Sequence, residues 1–259
     1  MERARHLMKV ARPIFGRLNE RESRSCQANQ SARWLSKAGL HRGPSRISGK
    51  GVSAHRSSDQ RPGEGEEFSP FRGRWDAVAC LASGPSLCGE DIEAIRNWRF
   101  EDQEKERRAV IVVNTTFLSA TWADVLFAMD KPWWDKYAQE VNEKFQGQRL
   151  TILHYPKVHA VKLPESFKTF GNSGSGAIAA AILGGARRIC LLGYDSQRTY
   201  GKVHHHGDHP RGLGNAGAMP KWPAQFKALR EAHPDVDITN CSRETALTCF
   251  PRKSLLEWM

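Results

Sequence analysis

None of the six cysteines forms a Cys-x-x-Cys pair. Cys80 and Cys190 lie inside apolar runs, as buried thiols do. This is the usage of a reduced, cytosolic protein rather than of a disulfide framework. No run of eighteen apolar residues occurs, so no membrane span is expected. The start, "MERARHLMKVARPIFGRL", has no long apolar stretch and does not read as a secretory signal. Neither G-x-G-x-x-G nor G-x-x-x-x-G-K-[ST] is found, which argues against the usual dinucleotide and P-loop assignments. No internal repeat is visible. Large apolar residues are scarce between Asn19 and Arg74, where Ser, Arg, Gly, Gln and Pro prevail. Such a segment buries too little surface to offset its ordering entropy.

The net charge of +11 invites a nucleic-acid reading until the charge is located. Residues 1–75 hold sixteen Lys and Arg against seven Asp and Glu, a balance of +9 that leaves +2 for the rest. Residues 1–74 are therefore expected to be a disordered basic tail, with contact to nucleic acid as the alternative role. Residues 75–259 are expected to form one domain.

At Trp75 the composition changes. "WDAVACLAS", "AVIVVNTT", "DVLFAMD", "LTILHY", "RRICLLGYD" and "VDITNCS" read as strands. Between them "EDIEAIRNW", "PWWDKYAQEVNEKF", "GSGAIAAAILGG" and "PKWPAQFKALREAH" read as helices, the second with Pro132 in its first turn. Strands that are nearly continuous apolar runs imply helices on both faces. The fold class is α/β, a Rossmann-like, open, mostly parallel sheet.

In such sheets ligands bind beyond the carboxyl ends of the strands. Those ends carry Ser83, Gly84 and Ser86, then Asn114, then Asp130, then Tyr194 and Asp195, and finally Asn240, Ser242 and Arg243. In "ASGPSL" the glycine would let backbone approach a ligand, or simply make a βα turn. In "GNSGSGA", Ser173 and Gly174 open a helix whose start can receive an anion, while small residues also permit close packing on a sheet. "GKVHHHGDHPRG" sets His204, His206, Asp208 and His209 in an H-x-H-x-D-H pattern that could bind zinc. The metallo-β-lactamase-type fold that uses this pattern carries it early and adds distant ligands, which the fifty residues remaining here do not provide. A catalytic histidine oriented by Asp208, or a loop of solvated imidazoles, are the other readings.

The ordered run "ASGPSL", "VVNTTF", "NSGSGAIAAAILGGARRICLLGYD", a His loop and "ITNCSRETALTCF" resembles the bacterial sialyltransferases and the motility-associated flagellin glycosyltransferases. Similar reading frames occur in bacteriophages and prophages. The resemblance covers residues 75–259. It implies glycosyl transfer from a nucleotide-activated donor to a hydroxyl, without a required metal, in the cytoplasm (the host's, if phage-encoded). Gly84 and Ser86 would meet the nucleotide phosphate or ribose, Asn114 the nucleotide, and Ser173 with Gly174 the donor. His209, or else His206, would be the general base, and Asp195 would order the site or hold a cation. Tyr194, Tyr200 or Arg243 would replace the phosphate-binding tyrosines of the family. Asp130 stands where those enzymes have asparagine, so a phosphate there needs a cation.

A second resemblance, through "GPS" and "HGD", is to archaeal-type 6-hydroxymethylpterin diphosphokinases. It implies Mg and ATP held by Asp130, Asp195 and Asp208, although "GNSGSGA" departs from the acidic stretch of those kinases. A third possibility is a phage binding or morphogenesis component that kept the fold without the chemistry.

Overall fold

The computed structural model describes residues 74–101 and 106–259. The expected tail, apart from Arg74, lies outside the described residues. Seven parallel strands form one sheet: β1 (Ala77–Leu81), β2 (Arg108–Val113), β3 (Val125–Phe127), β4 (Gln148–Thr151), β5 (Val161–Lys162), β6 (Arg188–Leu192) and β7 (Asp237–Asn240), in the order β5-β4-β3-β2-β1-β6-β7. Among the described residues five α-helices accompany them: α1 (Gly89–Phe100), α2 (Lys131–Lys144), α3 (Ser173–Leu183), α4 (Trp222–Ala232) and α5 (Leu255–Trp258). The sheet is thus wholly parallel. The expected sixfold strand count misses β5, a two-residue edge strand, and the "NTT" after β2 is a 3₁₀ turn rather than strand. Among the described residues no helix is long and apolar enough to cross a membrane.

Successive strand residues point to opposite faces, and the two cores divide accordingly. Val78, Cys80, Ile111, Phe127 and Ile189 pack with Ile178 of α3 and Phe226 and Leu229 of α4. Ala77, Ala79, Leu81, Val112 and Leu126 pack with Ile95 and Trp98 of α1, Trp134 of α2 and Trp258 of α5. Arg188 fastens the last of these. Its guanidinium lies 4.3 Å over the Trp258 ring, donates to the Trp258 carbonyl at 2.6 Å and pairs with Glu106 at 2.8 Å.

The chain builds outward from β1 through β2 to β5, then returns by α3 to place β6 on the other side of β1. The reversal of strand order lies between the carboxyl ends of β1 and β6, where open α/β sheets form a crevice. Helix α3 can lie close over the sheet because its residues are small. A β-carbon on Gly176 would overlap the Phe127 ring. Gly176→Val is therefore expected to destabilise the domain by about 1–3 kcal/mol through overpacking, read as a lower urea midpoint with unchanged m.

Candidate functional site

A cavity of about 470 Å³ opens at this crevice. That lies within the range of small-molecule sites. Four strand ends contribute to it: Ser83 and Gly84 after β1, Asn114 after β2, Asp130 after β3, and Tyr194 and Asp195 after β6. Ser173 and Gly174 at the start of α3, and His204 and His209 from the loop before α4, complete the wall. Asn114, Ser173 and His209, far apart in sequence, therefore share one cavity. The β7 end does not reach it. Asn240 and Ser242 are buried there, and the Ser242 hydroxyl accepts the Tyr194 amide at 2.8 Å.

The floor is an internal carboxylate. Asp195 is 1 % exposed and accepts from the Ser86 amide at 2.9 Å and the Ser86 hydroxyl at 2.6 Å. Burial pushes its pKa up, and the Ser86 bonds oppose the shift. Gly84 lacks a side chain because a β-carbon there would fall on the Asp195 carboxylate and the Gly193 carbonyl. The close approach foreseen at this glycine is thus an approach to Asp195. Ser86, itself buried, is spent on the same carboxylate and is absent from the cavity wall.

Arg243 is also engaged elsewhere. It grips Asp91 of α1 through Nε at 3.0 Å and Nη2 at 3.0 Å and does not line the cavity. Of the three residues expected to replace phosphate-binding tyrosines, only Tyr194 reaches the cavity, its hydroxyl donating to the Gly174 carbonyl at 3.1 Å. Tyr200 is 75 % exposed and lies off the wall. Asp130 lines the cavity and makes no capping bond to α2, and burial raises its pKa. Asp208 is exposed and off the wall. Among the described residues Asp130, Asp195 and Asp208 do not gather into one ligand group; Asp130 and Asp195 line the cavity and Asp208 does not.

Two wall features have the character of ligand contacts. Asn114 adopts φ of 49°, the left-handed region, and its buried Oδ1 has no partner. Ser173 and Gly174 stand in the first turn of α3, where amides lack an intrahelical acceptor. Asn172 caps that helix by accepting the Ser175 amide at 2.8 Å. Among the described residues, no Lys or Arg appears on the cavity wall.

The histidine loop is pinned to β1. The Ser83 carbonyl accepts the His205 amide at 2.9 Å, and the Ser83 hydroxyl is 2.8 Å from His204 Nδ1. At its far side the His209 amide donates to Asn215 Oδ1 at 2.7 Å. His206 packs against His204 and His209, with ring centroids 5.2 and 5.0 Å apart. Burial lowers the pKa of all three, His204 to about 4 and His206 to about 3, so they are neutral imidazoles at pH 7. Ser83 and His204 line the cavity, although the sequence reading named them only as a strand-end residue and as part of the histidine pattern and gave neither a role in the site. The only signal for Ser83 was its place one residue ahead of the glycine turn.

No family model, curated protein or solved structure matches the chain.

Replacing Ser86 tests the floor. Ser86→Ala removes a donor from a buried carboxylate, which costs about 1.5–3 kcal/mol at pH 7. The folded pKa of Asp195 then rises further. The extra deficit is complete above the variant's folded pKa and vanishes below the parent's folded pKa, the unfolded value being common to both, so urea midpoints of variant and parent should converge in acid.

Proposed function

We propose that the cavity binds a nucleotide-activated donor and that the protein transfers a glycosyl group from it to an acceptor hydroxyl. The observation that carries this reading is the convergence of Asn114, the α3 start and His209 on one crevice at the strand-order reversal. The donor phosphate fits the free amides and positive dipole end at Ser173 and Gly174. Asn114 Oδ1, buried and without a partner, suits an N–H or O–H donor of the nucleoside. Asp130 is an acceptor for ribose or sugar hydroxyls, a role carboxylates take in related sheets. Phosphate belongs away from it.

His209 is the general base. Its imidazole is neutral, stands on the cavity wall and is less buried than His204. The acceptor oxygen attacks the anomeric carbon as His209 takes its proton. The bond from that carbon to the donor phosphate breaks, and the nucleotide leaves with the electron pair. Asp195, held by Ser86, fixes the floor without touching substrate. A donor of this kind is a cytoplasmic metabolite, and the described cysteines are free thiols.

A nucleotide-sugar library should yield one donor that raises Tm of the full chain. Asn114→Ala should weaken that donor by about tenfold, the loss of roughly 1.4 kcal/mol. His209→Ala should lower kcat by about two to four orders of magnitude while donor binding persists. Absence of any donor-induced shift overturns the reading. An unchanged kcat in His209→Ala removes the base assignment.

A further inference from the structure

Three imidazoles meet beside the cavity. His204, His206 and His209 each place one ligand nitrogen within 4.8 Å of those of the other two. Each ring also carries a buried nitrogen with no hydrogen-bond partner among the described residues: Nε2 of His204, Nε2 of His206 and Nδ1 of His209. His204 is 6 % exposed, and its Nδ1 is held by the Ser83 hydroxyl, which leaves Nε2 as the nitrogen available to a ligand. One unmet buried polar atom is costly. Three on adjoining rings, in a loop pinned at Ser83 and Asn215, call for a common partner.

We propose that His204, His206 and His209 bind one zinc-type divalent ion, with an open coordination position facing the cavity. Neutral imidazoles suit zinc and its first-row neighbours, whereas magnesium prefers oxygen. Three histidines with a vacant fourth position are the arrangement of catalytic rather than structural zinc. Tetrahedral coordination brings nitrogen donors to about 3.3 Å from one another, a contraction that rotations of the half-buried His206 and His209 rings can supply. The Ser83 hydroxyl then orients the His204 ring, as outer partners of metal-bound histidines do. His204 and His209 both line the cavity, so the ion faces the bound ligand.

The ion would also supply the cationic charge that a wall without Lys or Arg lacks. With its Nδ1 lone pair on the ion, His209 would no longer be the general base assigned above, and the loss of kcat expected for His209→Ala would report the loss of the ion. A hydroxyl or water held at the open position then becomes the acidic group, because zinc lowers its pKa toward 7. That last consequence rests on the transferase reading, but metal binding itself does not.

The test uses the full chain, stripped with EDTA and titrated with Co²⁺ alone, then Zn²⁺. Expected are one Co²⁺ per chain, a visible absorption band of low-coordinate cobalt, its loss on adding one Zn²⁺, and a Zn²⁺-dependent rise in Tm. His206→Ala should bind at least about 100-fold more weakly, and Ser83→Ala about tenfold more weakly. His233→Ala, outside the cluster, should bind as the parent does. Should His206→Ala fail to fold, His209→Gln serves in its place, with circular dichroism as the control. Equal Co²⁺ binding by parent and folded cluster variants, or no visible band, overturns the proposal. A cobalt band without any nucleotide-sugar binding overturns only the transferase reading.

Discussion

The clasp between Asp195 and Ser86 fixes everything around the crevice. It joins the turn after β1 to the end of β6, the two segments that flank the reversal of strand order. The Gly84 amide reinforces it by donating to the Gly193 carbonyl at 2.8 Å. With that turn fixed, Ser83 is fixed, and from Ser83 hang both His204 and His205. A carboxylate this deep is costly to desolvate and is retained only with donors in place. Its position, rather than its reactivity, is what the neighbouring residues use.

The framework was legible because its strands are buried on both faces. Runs such as "AVACL" and "RICLL" announce themselves as central parallel strands. Val161–Lys162 did not, since a two-residue strand owes its existence to the edge of β4 and carries no pattern of its own. The β2 strand was read too far because Asn114 and Thr115 continue a polar-tolerant run, while Asn114 in fact turns into the left-handed region.

The site was legible as a set of positions and less so as a set of roles. Polar residues at strand ends are as easily satisfied by each other as by a ligand. Arg243 finds Asp91, 152 residues away in sequence, and Ser86 finds Asp195, 109 away. Nothing local to either residue announces such a partner. The histidines show the reverse case. Their spacing was visible, and the metallo-β-lactamase-type fold was set aside because no distant ligand could be found. None is needed: two loop anchors, Ser83 and Asn215, bring three rings of the same loop together.

Charge joins these observations. The chain's excess of cations lies almost wholly in residues 1–75, and among the described residues the cavity wall carries Asp130 and Asp195 but no Lys or Arg. A helix start alone contributes roughly half a unit of positive charge, against the full negative charge or more of a nucleotide donor. Phosphate-binding sites close such a gap with basic side chains or a bound cation. Here no basic side chain is on the wall, and the three neutral imidazoles are the groups placed to recruit a cation. If the cavity takes the proposed nucleotide donor, the lack of cavity arginines and the unmet histidine nitrogens are two sides of one electrostatic requirement, and the proposed divalent ion at His204, His206 and His209 would answer both.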